Sequence, residues 1–346
     1  MIHLAGRARW TALGLVIVIV AGTALTLAVL GFDVMRAAVA LVNGSFGSWY
    51  AFGSGTVVRA TPLVLTGLAV ALAFQSGVFN IGAEGQFLTG AAAASAIALT
   101  RAGGTAWVLV PALLLAGAAA GAVWAWIAAE LRARFHVLEV ISTLMLNFVA
   151  TYLVAYLVRG PLQEPTRIYP QTETFVDAAR LPRFGPTTRL HIGFAIACAA
   201  CVACWWALRY TAAGFRARVA GANPDAAKSA GEIDVRRVTT RAFVVSGALA
   251  GLAGAVEVSG VTYALYENIS PGFGYTAIAV ALLARLNALA VLGTGILFGA
   301  LDAGATAMQR DAGVPSVVVS IVEAGVILVM VAANRARFAR SIGGAA

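Results

Sequence analysis

Residues 61–100 read TPLVLTGLAVALAFQSGVFNIGAEGQFLTGAAAASAIALT. Two apolar runs, 61–78 and 86–101, flank a polar stretch, Phe79-Asn80-Ile81-Gly82-Ala83-Glu84-Gly85-Gln86. An apolar helix of about 20 residues crosses the roughly 30 Å hydrocarbon core of a bilayer. Polar and ionisable groups at membrane depth are costly, and they face a bundle interior or water. Non-helical backbone is tolerated there only where protein buries it or where it lines a cavity. Glycines let the chain turn, and a helix starting near Glu84 presents free N–H groups. The stretch therefore reads as a pathway or gating element inside a membrane protein. The plainer reading is a cytoplasmic turn between two spans.

Composition widens this reading to the whole chain. Its 346 residues are 60% hydrophobic and 11% charged, with a mean hydropathy of +0.87. A soluble domain carries roughly 25% charged residues. The net charge is +9. A basic balance can point to nucleic acid, but here the basic residues fall between apolar spans, as in the cytoplasmic loops of a membrane protein. The expected partner is membrane lipid and not nucleic acid.

Apolar spans are expected at 11–30, 61–78, 86–101, 107–129, 138–158, 190–208, 241–262, 275–289, 290–307 and 315–333. The run at 11–30 follows a short basic segment. It exceeds the 7–15 apolar residues of a signal peptide and reads as a retained first helix. The fold class is all-α integral membrane, with about ten transmembrane helices in one transmembrane domain over 1–346. Short, glycine-interrupted spans such as 86–101 and 275–289 fit broken helices around a central pathway. With both termini inside, fifteen of the 24 Lys and Arg residues fall on the inner side and nine on the outer. Positive-inside asymmetry thus favours N-in and C-in.

Two hydrophilic segments remain. Residues 160–189 form an outer, periplasmic loop, rich in proline and expected to be irregular. Residues 212–240 form the largest cytoplasmic feature, a coupling loop. It contains Gly221-Ala222-Asn223-Pro224-Asp225-Ala226-Ala227-Lys228-Ser229-Ala230-Gly231. Asn223 is a good N-cap, Pro224 suits the first helical position, and Asp225 favours the positive helix end. Gly231 stops the helix. Such a small-residue helix lacks the bulky apolar face of an interfacial anchor. Docking onto another protein is the better reading than resting on headgroups.

Sites of covalent chemistry are not expected. A phosphate-binding Walker loop places a lysine after a glycine-rich turn. Lys228 is the only lysine, and Ala227 precedes it. His3, His136 and His191 are dispersed and form neither a metal cluster nor a nucleophile–base pair. Cys198, Cys201 and Cys204 share one helical face and read as small apolar packing residues, with no disulfide and no metal. Asn147, Glu257, Ser259 and Glu323 are polar groups within spans. The two glutamates are candidates for proton relay or for structural hydrogen bonds.

The segment FNIGAEGQ closely resembles the signature of permeases in bacterial nucleoside and simple-sugar ABC importers. These belong to the branched-chain amino-acid/ribose permease superfamily. The resemblance extends to Arg59–Leu63, Thr66–Val70, Glu139–Asn147, Gly221–Gly231 and Ala281–Asn287, about positions 55 to 305. Two departures are Ala288, where family members often carry proline, and Leu138, where they often carry asparagine. The resemblance implies about ten helices per subunit and two permeases side by side, a non-identical pair in the nucleoside group. It implies two cytosolic ATP-binding-cassette ATPases that hold ATP and magnesium, and a periplasmic or lipoprotein substrate-binding protein. The chain itself would carry no cofactor and sit in the bacterial inner membrane. Asn80, Glu84 and Gln86, with Phe79 and Asn147, would lie on the substrate pathway. Gly221, Asn223, Pro224, Ala226, Ala227 and Gly231 would form the coupling helix. The substrate would be a nucleoside or, as the alternative, a simple sugar. Phe79, Phe273 and Tyr275 would stack on it, or else serve as core or interfacial aromatics. An ion-coupled carrier is the remaining reading. It would need Glu84, Glu257 or Glu323 to bind the ion.

Overall fold

The computed structural model describes residues 21–100, 104–229, 233–315, 317–318 and 321. The chain is all-helical, and among the described residues β-pairing is limited to isolated bridges. Residues 21–29 are helical. They are followed by α1 (Val34–Phe46), a π-helical turn (Ala51–Val57) running into α2 (Val58–Gln75), α3 (Ala83–Thr100), α4 (Ala106–Phe135) and α5 (Glu139–Arg159). After the outer segment come α6 (Gly193–Tyr210), α7 (Ala212–Ala222), α8 (Pro224–Ser229), α9 (Val235–Glu257) with a π-helical end (Val258–Thr262), α10 (Phe273–Leu283) and α11 (Ala288–Ala312). Among the described residues, six helices are long and apolar enough to cross a membrane, and α1 and α10 are shorter apolar helices.

The described residues form two compact units. In the first, α1 packs on the C-terminal half of α11. Ser45 Oγ donates to the Ala300 carbonyl at 2.5 Å, and Leu27, Ala37, Ala40, Ala305 and Met308 share a core. In the second unit, residues 57–299, α9 lies against α4, α3 and α2, while α10 packs on α2. Most of the apolar window is buried in Ala51–Gln75 (83%) and Val235–Thr262 (72%), whereas Gly193–Tyr210 buries 17%. The first two are interior helices and the last presents its apolar side outward, as a lipid-facing helix does.

Local signals explain the boundaries. Asp33 caps α1 by accepting from the Arg36 N–H at 2.9 Å. That helix is absent from the expected spans because, at 13 residues with Arg36 and Asn43 inside, it is no crossing-length apolar run. The expected spans 275–289 and 290–307 meet earlier than anticipated. α10 ends at Leu283, Arg285 and Leu286 take left-handed φ values of 51° and 61°, and Asn287 Oδ1 caps α11 from the Leu289 and Ala290 N–H groups. Most of the expected span 315–333, the first half of 11–30, Glu323, His3 and Gly231 lie outside the described residues. The three cysteines on α6 are free thiols, with Cys201 buried.

The segment 160–192 is better ordered than its prolines suggest. It runs along the end of α9: Thr172 N–H to Leu265 O (2.9 Å), Phe175 N–H to Tyr263 O (2.7 Å), Leu181 N–H to Ser259 O (2.8 Å). Phe175 and Leu181 are buried, Arg180 lies 4.9 Å over the Tyr263 ring, and Arg183 Nη2 donates to the Tyr263 hydroxyl at 2.8 Å. Backbone pairing and two buried anchors override the irregularity that proline imposes locally.

Candidate functional site: a broken-helix junction and a small exposed helix

The chain leaves α2 through Gly77, with φ at +74°, and crosses residues 78–82 without helix before α3 begins. An interrupted helix inside a bundle exposes backbone groups that must find partners. Here two asparagine side chains supply them. Asn80 Oδ1 accepts from the Gly82 N–H at 2.9 Å, and Asn147 Oδ1, reaching from α5, accepts from the Gly85 N–H at 2.8 Å. Two of the N–H groups at this helix start, those of Gly82 and Gly85, are therefore satisfied by side chains within the protein.

The same side chains knit the junction to its neighbours. Asn80 and Gln86 exchange two amide hydrogen bonds, at 2.9 and 3.0 Å. Asn80 Nδ2 also donates to Ser246 Oγ on α9, which donates to the Ala69 carbonyl on α2. Asn147 Nδ2 donates to the Ile81 carbonyl at 2.9 Å and to the Tyr275 hydroxyl at 3.4 Å. Glu84 reaches the other broken helix. Its Oε2 accepts from the Gly274 N–H at 2.7 Å, in the first turn of α10, and the Ser270 hydroxyl donates to it. A carboxylate there satisfies an orphan donor and complements the positive helix end. Gly274 is required for the approach, because a Cβ would strike the Glu84 backbone.

Asn80, Gln86, Asn147 and Glu84 are all buried. The structure thus brings these four sequence-predicted residues together, with their polar atoms turned onto protein partners. Phe79 differs: it is 55% exposed, with its ring edge-on to Phe74 at 5.2 Å. Tyr275 is also part-exposed, while Phe273 packs against Phe87 at 5.6 Å. Ser246, Ser270 and Gly274 belong to the junction but carry no signal in sequence. Serine and glycine are ordinary interface residues of membrane helices.

The second candidate is α8. Asn223 Oδ1 accepts from the Ala226 N–H at 3.0 Å and the Asp225 N–H at 3.2 Å, the capping geometry its sequence implies. Ala226 and Pro224 are exposed, whereas Ala227 is fully buried, so only one alanine faces outward. Gly221 sits where α7 touches the α2 exit. A Cβ on it would meet the Gln75 carbonyl and come within 2.8 Å of the Gly77 nitrogen. The last turn of α7, which leads into the small helix, therefore touches the chain at the α2 exit, just before the polar junction.

Comparison with known proteins addresses the fold and the class together. The profile of the family described as branched-chain amino acid transport system / permease component matches residues 54–331. The guanosine ABC transporter permease protein NupP of Bacillus subtilis is 39% identical over 322 residues, 92% of this chain and 91% of that one. The glucose ABC transporter permease protein TsgB13 of Haloferax volcanii is 41% identical over 80% of this chain and 74% of its own. A second guanosine ABC transporter permease of Bacillus subtilis, NupQ, is 29% identical over 70% of this chain and 78% of its own. The matched region contains the polar junction, the small helix and the crossing helices. The chain belongs to the branched-chain amino acid transport system permease family and is a multi-pass ABC transporter permease, a transporter subunit and not an enzyme.

Proposed function

We propose that the chain is the membrane-path subunit of an ATP-driven nucleoside importer of the plasma membrane, with both termini in the cytoplasm. The observation that carries this reading is the 39% identity to a guanosine permease across almost the full length of both chains. ATP and magnesium are held by separate ATP-binding-cassette subunits. A second, non-identical permease completes the path, and a periplasmic or lipoprotein binding protein delivers substrate. Two guanosine permeases of one bacterium, both similar to this chain, support the unlike pair. Within the complex, α8 is the coupling helix, with Asn223, Pro224 and Ala226 facing the ATPase and Ala227 anchoring it. The mechanism is alternating access, with the ATPase dimer moving α8, and α7 passing that motion through Gly221 to the α2 exit that leads into the junction. Asn80, Glu84, Gln86 and Asn147 hold the broken helices beside the path, and Phe79 offers an aromatic surface along it.

The test is uptake by the complex purified through a tag on this chain and reconstituted with its binding protein. ATP-dependent accumulation of guanosine, unaffected by excess glucose, is expected. The 41% identity to a glucose permease supports the sugar as second reading. Accumulation of glucose and not guanosine would select it, and uptake without ATP hydrolysis would remove both.

A further inference from the structure

Where α6 passes into α7, a pocket of about 350 Å3 opens between α2, α6, α7 and α9. Its walls are apolar, among them Leu72, Ala207, Leu208, Val238 and Val245. That volume lies within the roughly 300–1,000 Å3 of small-molecule sites. Two cations line it, Arg216 from α7 and Arg241 from α9, both exposed. Neither pairs with a carboxylate among the described residues, although Arg132, Arg134, Arg159, Arg180, Arg237 and Arg310 all do.

The neighbouring side chains give the depth. Trp206, Tyr210 and Phe215 are exposed on the same turns of α6 and α7. Tryptophan and tyrosine concentrate at the level of lipid headgroups. An oily chamber with two guanidinium groups, at headgroup depth, complements a molecule with an anionic head and an apolar tail. Arginine matches phosphate oxygens with its planar fork, and basic pockets between membrane helices attract anionic headgroups.

We propose that this pocket is a site for one anionic glycerophospholipid, its phosphate held by Arg216 and Arg241 and the upper part of an acyl tail in the chamber. The bound lipid braces the α6–α7 turn that leads toward α8. The assignment is independent of what the chain transports.

The test is native mass spectrometry of the full-length chain in mild detergent, titrated with phosphatidylglycerol, with phosphatidylcholine, or with inorganic phosphate. Phosphatidylglycerol is expected to bind with clear preference over phosphatidylcholine, and millimolar phosphate to leave it bound. The Arg216→Gln/Arg241→Gln variant is expected to lose roughly thirtyfold in phosphatidylglycerol affinity, about fivefold per arginine. Ala207→Phe fills the chamber, keeps both arginines and is expected to weaken the lipid without creating phosphate binding. Arg216→Lys/Arg241→Lys keeps the charge and so tests the fork in a chain that folds, with a severalfold loss expected. Equal binding of the two lipids, or unchanged phosphatidylglycerol binding in both double variants, overturns the proposal. Displacement by phosphate reduces the site to a plain anion site and equally overturns it.

Discussion

Asn147 satisfies two backbone groups of the junction from a separate helix. It closes the Gly85 N–H, the Ile81 carbonyl and the Tyr275 hydroxyl at once. Asn147→Leu keeps the volume and leaves the buried Gly85 N–H and the part-buried Ile81 carbonyl without these partners, each costing about 1–3 kcal/mol. We expect a loss of about 2–4 kcal/mol, read as a lower thermal unfolding temperature of the detergent-solubilised chain. Ser259→Ala is the control. Ser259 Oγ bonds only the Ala255 carbonyl of its own helix, and its removal is expected to change stability by less than about 1 kcal/mol. The polar members of the site are legible in sequence because Asn80, Glu84, Gln86 and Asn147 stand out against an oily background. Their partners are not. Ser246 is 166 residues from Asn80, and Gly274 is 190 from Glu84, and serines and glycines recur throughout such helices. Sequence therefore marks a site here without saying that its polar atoms face inward.

At the scale of elements, α8 offers two adjacent alanines with opposite fates. Ala226 points outward and Ala227 is buried. Ala226→Trp is expected to keep the unfolding temperature and abolish ATP-dependent uptake. Ala227→Trp is expected to lower the unfolding temperature by overpacking, about 1–3 kcal/mol. Normal uptake by the Ala226→Trp chain would count against docking at this helix. The outer segment gives a pH dependence. Burial, reinforced by Arg183 and Arg189, pushes His191 down to about 4 from an ordinary 6.5. The folded chain thus holds a neutral imidazole. Its contribution is complete above pH 6.5 and is lost as pH falls from 6.5 toward 4, reaching about 3 kcal/mol. Amide exchange at Thr172, Phe175 and Leu181, corrected for intrinsic rates, should accelerate across that window. His191→Gln should flatten the profile. The sequence reading located the long crossing helices, where apolar runs are unambiguous, and named the α8 cap. It did not find α1, whose length and polar residues hide it. It also set the α10–α11 break too late, because hydropathy continues through Leu286 while Asn287 decides where the new helix starts.

For the whole molecule, the packing of the larger unit rests on glycine backbones in contact. α3, α4 and α9 cross so closely that a Cβ on Gly90 would enter the Gly251 backbone, and one on Gly121 would lie 2.7 Å from the Gly251 Cα. A Cβ on Gly117 would come 3.0 Å from the Gly251 carbonyl. Lipid tails are as apolar as leucine, so membrane helices associate through close van der Waals packing, which small residues permit. Glycine content is visible in sequence, but which glycines face one another depends on the crossing angles of three helices. Gly251→Val should therefore be worse than composition suggests. A Cβ on Gly251 would meet the Gly117 carbonyl and lie 2.9 Å from the Gly121 Cα, so α4 would have to retreat from α9, at a cost at or above the upper end of roughly 1–3 kcal/mol. The fitting comparison is Gly293→Ala on α11, where an added Cβ meets nothing within 4 Å. That change removes a helix-interior glycine and is expected to stabilise by about 0.5–1 kcal/mol. Thermal unfolding of both variants in detergent should move in opposite directions. A Gly251→Val chain as stable as the parent would mean that α4 and α9 are not locked at this crossing. The polar junction would then lack the rigid frame against which α7, through the Gly221–Gly77 contact, could move it.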